Sequence, residues 1–296
     1  MIQFHAPKIE DFAWVQAILD AEPHPGADYT FHNMLFWKNY YGKLGVADGK
    51  LTQANAFNGL FFCLYPAGAG DKSGAVRALK TCAESRGLKL ALRGLTDETL
   101  PEFTEAFGDE AVVRPFYDAF DYVYAIEDLC NLPGKHLQSK RNHCNRFISE
   151  HPDWHTEVIS AENIALCAAL CEKWYAHHAA DRAIDNEKYA LELAMDNYDA
   201  LKMDGLLLFA EDEAVAFSMG NKMAGVYYDV NFEKAFADVT GAYAMINREF
   251  SRMIAAKYPD VRFLNREDDM GVEGLRKAKS SYRPTVHLRK YIAEWE

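Results

Sequence analysis

The sequence has no closely paired cysteines, no long apolar run and no low-complexity segment. Its six cysteines form no CxxC pair and no HExxH motif occurs, so we predict no metal site. No apolar run approaches the roughly 20 residues that a membrane-spanning helix needs. The N-terminus lacks the charged segment and apolar stretch of a signal peptide. These absences predict a protein of the reducing cytoplasm without a transmembrane segment.

Positive charge is also scarce, with 32 basic residues against 44 acidic ones and a net charge of −12. This balance disfavours general nucleic-acid binding. The basic residues are nevertheless concentrated, because residues 135–146 hold four of them and residues 275–290 hold six, with no acid in either segment. Two basic islands on an acidic protein fit a local polyanion, such as a phosphate group or an RNA end. The alternative is two solvated helix faces.

The order of predicted elements repeats along the chain. Each half contains opening helices, three strands in a meander, a helix, a strand, a further helix and a final strand. A cluster of loop-forming residues near Asn131, Pro133 and Gly134 separates the halves. We therefore predict an α+β protein of two similar domains, residues 1–127 and 128–296. Each domain is expected to have a mixed, mainly antiparallel sheet flanked by helices.

The final strands are predicted at Tyr122 to Ile126 in the first domain and at Thr285 to Ile292 in the second. Just before the latter, an apolar strand from Val261 to Leu264 leads into a short helix from Gly271 to Lys279. Charged residues thus collect where a strand ends and a helix begins, which is where ligands gather in open α/β sheets.

Four polar residues in this stretch are candidates for a substrate site or, with equal weight, for a structural ion-pair cluster: Asn265, Arg266, Glu267 and Lys279. On the predicted helix, Gly271, Leu275 and Lys279 lie near one face. We expect Gly271 and Leu275 to be buried there and Lys279 to point inwards, where acids or a ligand must receive its charge.

The element order resembles the acetyltransferase-like fold of the GNAT superfamily, present twice in tandem. Lys140-Arg141-Asn142-His143, followed by Arg146-Phe147, is similar to the basic helix of tandem-GNAT aminoacyltransferases. Three further stretches resemble the family typed by the C-terminal domain of phosphatidylglycerol lysyltransferase: residues 232–235, 240–243 and 265–284. The resemblance implies transfer of an amino acid from aminoacyl-tRNA to an amine or hydroxyl acceptor.

In membrane-bound members of that family the acceptor is a lipid head group. This chain lacks their transmembrane half, so the acceptor is expected to be a lipid head group or a soluble, small-molecule or peptide-like amine or hydroxyl. No cofactor is expected apart from aminoacyl-tRNA, which is the donor substrate. Acetyl-CoA is disfavoured because the loop that binds pyrophosphate in acyl-CoA-dependent relatives here reads Asp238 to Tyr243, with an acid in place of a basic residue. Tyr243 replaces the second glycine of that loop, and Gly241 serves either ligand binding or close packing of the helix.

The chemistry of acyl transfer assigns provisional roles. Lys279 is the candidate cation for the developing oxyanion, because it matches the lysine of the family's Lys-x-x-Tyr/Phe-x-Pro ending. Carboxylates that are candidates for orienting or deprotonating the acceptor are Asp229, Glu233 and Glu267. Residues expected to bind the substrates are Lys140, Arg141, Asn142, Arg146, Gly241, Tyr243, Asn265, Arg266 and Tyr282.

Three hypotheses follow from these residues. The leading one is an aminoacyl-tRNA-dependent acyltransferase. The second is an acyl-CoA-dependent N-acyltransferase. The third is a non-catalytic module that binds a charged small molecule or an RNA end.

Overall fold

A computed structural model describes residues 2–177 and 184–295 of the chain. Its helices are α1 Phe12–Ala21, α2 Phe31–Phe36, α3 Lys38–Tyr41, α4 Ser73–Glu84, α5 Leu100–Phe107, α6 Ile126–Asn131, α7 Gln138–Glu150, α8 Ile164–His177, α9 Ile184–Asp196, α10 Ala242–Lys257 and α11 Glu273–Ser280. Its strands are β1 Phe4–His5, β2 Lys43–Ala47, β3 Lys50–Phe57, β4 Leu60–Leu64, β5 Lys89–Thr96, β6 Ala111–Pro115, β7 Asp121–Ala125, β8 His155–Val158, β9 Asp204–Ala210, β10 Glu213–Lys222, β11 Tyr227–Ala235, β12 Phe263–Asn265, β13 Val286–Leu288 and β14 Lys290–Trp295.

The strands form two sheets, as the repeated element order predicts, and each sheet has seven strands. The first has the order β1-β2-β3-β4-β5-β14-β6 and the second β13-β7-β12-β11-β10-β9-β8. Strands β4 and β5 pair in parallel in the first sheet, and β11 and β12 do so in the second. The other pairings with a defined register are antiparallel. The prediction of two mixed, mainly antiparallel sheets flanked by helices is confirmed.

The chain divides into two compact units that are not continuous in sequence. The first unit comprises residues up to 121, residues 268–272 and residues from 287 onwards, and the second comprises the remainder. This division differs from the single boundary predicted between residues 127 and 128. The physical reason is an exchange of final strands, because β14 pairs with β5 and β6 of the first sheet while β7 pairs with β12 of the second.

The predicted strand from Thr285 to Ile292 is also two strands, β13 and β14, which belong to different sheets. Alternation of apolar residues defines a strand's two faces but carries no information about which sheet edge it joins. The alternation of apolar residues therefore could not predict the exchange of final strands between the sheets.

Buried charges accompany β14 in the first unit. Lys290 is buried and its Nζ donates to Asp121 Oδ1 at 2.6 Å and to Asp28, which also pairs with Arg93. Burial by itself would lower the pKa of Lys290, but Asp121 and Asp28 outweigh it and raise that pKa well above its usual value. The C-terminal strand is thus located by specific ion pairs as well as by its backbone ladder.

Each sheet has its own apolar core. In the first unit Trp295 of β14 packs edge-on against Phe103 of α5, with ring centroids 5.8 Å apart. In the second unit α10 supplies an extended apolar face, with Met245, Ile246 and Phe250 buried. Helix α10 therefore connects the second core to the strands that carry most of the candidate site residues.

Candidate functional site

Strands β11 and β12 of the second unit separate where the predicted site residues begin. Their register ends at the pair Asp229 and Asn265, both of which are buried. Beyond Asn265 the chain keeps bonding to β7, since Arg266 N donates to Tyr122 O at 3.0 Å and Tyr122 N donates to Glu267 O at 3.1 Å. Side chains rather than backbone groups therefore link this segment to β11.

A β-bulge in β11 determines where its acids point. From Met219 to Asn221 of β10 the partner on β11 changes from Phe232 to Asp229, so β11 carries one extra residue. As a result Tyr228 and Ala235 of β11 contribute to the same core although they are an odd number of residues apart. Bulges of this kind re-aim side chains next to functional sites.

Glu233 is one of the residues that the bulge redirects. Its Oε1 pairs with Arg266 Nη2 at 2.7 Å and its Oε2 accepts a bond from Asn247 Nδ2 of α10 at 3.1 Å. Both charged side chains are nearly buried. Burial would lower the pKa of Arg266, but Glu233 outweighs that effect and raises it. The ion-pair interpretation of Arg266 thus has direct geometric support. Within the described residues, no hydrogen-bond acceptor meets the buried Nη1 of Arg266.

The two other candidate acids lie around Asn231. Asn231 Nδ2 donates to Asp229 Oδ2 at 3.1 Å and to Glu267 Oε1 at 3.4 Å. Glu267 has a positive φ of 57°, and its N–H donates to Asn265 Oδ1 at 2.7 Å. The structure therefore groups Asp229, Glu267 and Asn265, while the bulge assigns Glu233 to the ion pair with Arg266.

Lys279 lies near the C-terminal end of α11 and points inwards, as expected. Its Nζ donates to Arg266 O at 2.6 Å, and its own carbonyl accepts a bond from Tyr124 OH at 2.8 Å. The expectation for the other two residues of that face is wrong, because Gly271 precedes the helix and is exposed and Leu275 is 38% exposed. Lys279 thus points towards the polar end of strand β12 and does not belong to an apolar face of its helix.

Tyr282 joins this polar cluster to a cleft. Its buried ring has Arg266 at 4.9 Å and Lys140 Nζ at 4.1 Å from the ring centroid. Burial and the nearby guanidinium of Arg266 both lower the pKa of Lys140, and Glu233 partly offsets them. The cleft has a volume of about 200 Å³ and is lined by Lys140, His143, Phe236, Ala237, Val239, Gly241, Tyr243, Ala244 and Tyr282.

The basic helix α7 contributes Lys140 to this cleft but directs its other predicted residues elsewhere. Lys140, Cys144 and Phe147 are spaced at i, i+4 and i+7, so Lys140 shares the buried face. Arg141 instead bonds to the carbonyls of Leu132 and Gly134, which anchors the preceding loop.

Two further residues of α7 lie away from the cleft lining. Asn142 is exposed, and Arg146 pairs with Glu150 at 2.7 Å on the solvent side. Sequence reasoning did not select His143 as a site residue, although it lies three residues after Lys140 and therefore near the same helix face.

Gly241 is required by close packing between helices. Its φ is +89°, and a Cβ atom there would lie 2.3 Å from His143 O and 3.1 Å from Phe147 Cβ. The three atoms nearest to a Cβ at position 241 therefore all belong to helix α7. Tyr243 follows in the first turn of α10, is 39% exposed, and its hydroxyl accepts a bond from Trp174 Nε1 at 3.2 Å. No sequence signal singled out Trp174, which lies on a different helix.

A second cleft of about 340 Å³ lies beside the loop before α7. Its lining residues are Asp128, Pro133, His136, Leu137 and Arg283. None of them was predicted to be a site residue from the chemistry of acyl transfer. Within the described residues, no group of three or more histidine, cysteine, aspartate or glutamate side chains has a metal-binding arrangement. We therefore regard the cleft of Lys140 and Tyr243, with the adjoining polar cluster, as the candidate active site.

Solved structures with the same fold agree with this architecture. A conserved protein of Bacteroides thetaiotaomicron is 31% identical and has a TM-score of 0.94, with all of both chains covered. L-PGS from Bacillus licheniformis is 14% identical with a TM-score of 0.68, covering 98% of this chain and 92% of that one. A tandem GNAT protein from the clavulanic acid biosynthesis pathway is 11% identical with a TM-score of 0.51, covering 99% and 98%. The fold is thus a tandem GNAT-like fold.

A curated relative, an uncharacterised protein of Mycoplasmoides gallisepticum, is 26% identical over 185 residues. This match covers 59% of the chain and 56% of the relative's own length. Across the described residues, no helix has the length and apolar character that crossing a bilayer requires. The family model of the phosphatidylglycerol lysyltransferase C-terminal domain matches residues 21–294, nearly the whole sequence. The chain therefore belongs to the family of the phosphatidylglycerol lysyltransferase C-terminal domain.

Proposed function

We propose that this protein is an aminoacyltransferase that takes its acyl group from aminoacyl-tRNA. The observation that carries the proposal is the cleft lined by Lys140 and His143, which Tyr282 joins to the buried pair of Arg266 and Glu233. The ammonium of Lys140 suits a phosphate at the 3′ end of RNA, and the polar cluster beyond the cleft suits the reacting ester. Family membership supports the same class of reaction.

The reaction needs one bond to form and one to break. The acceptor's amine or hydroxyl attacks the ester carbonyl of the aminoacyl group, giving a new amide or ester bond. The bond between that carbonyl carbon and the terminal ribose oxygen then breaks. The proton leaves the acceptor for a carboxylate and passes on to the departing ribose oxygen, so no cofactor beyond the donor is consumed.

We propose that the side chains where β11 and β12 separate carry out the steps of this reaction. Asp229 and Glu267, which Asn231 links, are our candidates for accepting and returning the proton. Lys279 is our candidate for stabilising the oxyanion. Glu233 positions Arg266, whose guanidinium faces the rings of Tyr124 and Tyr282. We propose that Asn265 is a positioning residue, because its side chain holds the backbone of Glu267.

The acceptor is a lipid head group or a soluble or peptide-like amine or hydroxyl. A direct test supplies purified protein with a pool of tRNA charged with radiolabelled amino acids. Phosphatidylglycerol vesicles and a panel of small amines and peptides are offered in parallel. We expect label to move from tRNA to one acceptor class and to leave the tRNA uncharged. Label that stays on tRNA with every acceptor, under conditions where the protein is folded, contradicts the proposed activity.

A further inference from the structure

The aromatic lining of the cleft has no role in the transfer chemistry itself. Beside Lys140 and His143, the cleft presents the rings of Phe236, Tyr243 and Tyr282. Aromatic rings interleaved with cations are the combination that binds single-stranded nucleic acid, because bases stack on the rings while the cations meet phosphates. A site for phosphate alone has no need of the partly exposed rings of Phe236 and Tyr243.

Tyr243 is held in place by a series of side-chain contacts that leads to the buried Lys234. Trp174 donates to its hydroxyl, and Lys234 Nζ lies 3.6 Å from the centroid of the Trp174 ring. Lys234 is 6% exposed and pairs with Glu187 of α9 at 2.8 Å. A ring whose orientation is already restricted loses little conformational entropy when a planar ligand stacks on it. The network thus explains why a partly exposed tyrosine at the start of α10 has a defined position.

The size of the cleft limits the ligand. Its volume of about 200 Å³ lies below the roughly 300–1,000 Å³ of pockets that enclose a drug-sized molecule. A single base with its sugar is of suitable size, whereas an entire acyl-CoA is not. Lys140 lies against Tyr282 at the side of the cleft nearest Arg266, so a phosphate bound by Lys140 would be close to the polar cluster.

We propose that the cleft binds the 3′-terminal nucleotide of the donor RNA, with its base stacked on Tyr243 and an adjoining phosphate bound by Lys140. This inference rests on the proposed function, since it names the part of aminoacyl-tRNA that this cleft takes. Trp174 is a positioning residue that fixes the ring of Tyr243.

The test uses an uncharged fluorescein-labelled RNA tetranucleotide, ACCA, and measures its binding to the whole protein by fluorescence anisotropy. Tyr243→Leu is expected to weaken binding by roughly 5- to 150-fold, the effect of one lost base stack, whereas Tyr243→Phe keeps the stack and most of the affinity. Lys140→Met is expected to reduce the slope of log Kd against log salt by about 0.7, the contribution of one single-strand phosphate.

Matched controls are Tyr117→Leu, at a tyrosine that is 68% exposed in the first unit, and Lys43→Met, at an exposed lysine of β2 in the same unit. Both should bind the RNA as the wild type does. A second measurement needs no variant, because 2-aminopurine in place of the terminal adenine should lose fluorescence when it stacks in the wild-type cleft. Unquenched 2-aminopurine in the bound RNA, or a folded Tyr243→Leu variant with wild-type affinity, overturns the proposal.

Two outcomes separate this inference from the proposed activity. RNA binding that depends on Tyr243, in a protein that transfers no amino acid, supports the site and rejects the activity. Transfer whose KM for charged tRNA is unchanged in Tyr243→Leu supports the activity and rejects the site. Displacement of the RNA by an equal concentration of coenzyme A would also reject it, by assigning the cleft to an acyl-CoA.

Discussion

At the scale of single residues, Arg266 and Lys279 illustrate how a structural and a catalytic role differ. Arg266 is paired with Glu233 through nearly buried side chains, and its backbone carbonyl receives the ammonium of Lys279. The carboxylate of Glu233 that pairs with Arg266 is itself held by a second residue, Asn247. We expect Arg266 to matter first for stability and Lys279 first for rate.

Arg266→Met tests the structural role. It leaves Glu233 buried with Asn247 but without its guanidinium, and removal of one partner from a buried ion pair typically lowers the free energy of unfolding by about 3–5 kcal/mol. Urea unfolding measures the effect. The double variant Arg266→Met/Glu233→Leu should recover most of the loss, because no uncompensated charge remains. A loss below about 1 kcal/mol in the single variant would be typical of an exposed pair and would contradict this interpretation.

Lys279→Met tests the catalytic role. The variant should stay folded, because methionine keeps the length of the side chain, and its initial rate of transfer from charged tRNA should fall by about 10²–10³, the usual effect of one lost transition-state donor. Lys277→Met is the matched control, since Lys277 lies on the same helix and is exposed. Full activity in Lys279→Met rejects the assignment. A lowered melting temperature with an unchanged rate per folded molecule would identify Lys279 as a purely structural support of Arg266.

At the scale of elements, we expect the start of α10 to determine which donors fit. Gly241, which precedes the helix, is packed against α7, and Tyr243 lines the cleft beside it. Asp238 is exposed and is not among the residues that line the cleft. We therefore propose that the tyrosine ring, rather than the acid, is the main local obstacle to a pyrophosphate at this helix end.

Acetyl-CoA should consequently give no thermal-shift stabilisation at millimolar concentration. A ligand present at 100 times its Kd would add about 2.7 kcal/mol to the free energy of unfolding, which a melting curve detects readily. Tyr243→Ala is the informative companion variant, because it removes the obstacle without disturbing Gly241. A bulky residue at position 241 is unsuitable as a control, since it would collide with the backbone of α7. A clear shift of the wild-type protein with acetyl-CoA would favour an acyl-CoA donor.

At the scale of the whole molecule, buried charges make stability depend on pH. Burial would raise the pKa of Asp28, but Lys290 and Arg93 outweigh it and lower the pKa to about 2. A carboxylate with a lowered pKa stabilises the fold above its unfolded pKa of about 3.9, and this contribution disappears as the pH falls towards the folded value. Lys290 has a raised pKa, so its contribution is complete below an unfolded pKa of about 10.4 and is lost at higher pH.

Burial also lowers the pKa of His24 to about 3, so the free energy of unfolding should begin to fall below about pH 6.5, the pKa of an unfolded histidine. Asp28 should add about 2 kcal/mol to the loss between about pH 4 and pH 2. Urea midpoints measured from pH 2 to pH 8 give the profile. Asp28→Asn should lower stability at pH 7 and make the acid decline shallower, because the titrating group is gone. An acid decline of unchanged size in that variant would assign the effect to other carboxylates.

Periodicity, turn residues and family motifs in the sequence determined much of the second unit. They predicted two mixed sheets, the helix that carries Lys140, the strand leading to Asn265 and Arg266, and the inward direction of Lys279. The helix and the strand depend on neighbours within a few turns of the chain, for which local spacing is sufficient. Lys279 points inwards for a different reason from the one that the spacing suggested, because it bonds to the carbonyl of Arg266 while Leu275 stays exposed. The family match and the two sheets agree with those predictions.

Only the tertiary structure decided which strands and side chains meet. The exchange of β7 and β14 between sheets depends on the long-range pairing of backbones, which an alternating pattern leaves open. The bulge in β11 separated Glu233 from Asp229 by turning one acid towards α10, although both lie at alternate positions of one strand. Arg141 and Arg146 bond to partners close in sequence, whereas Trp174 reaches Tyr243 from 69 residues away. Composition and spacing select residues with suitable chemistry, but backbone register and packing determine which of them share a site.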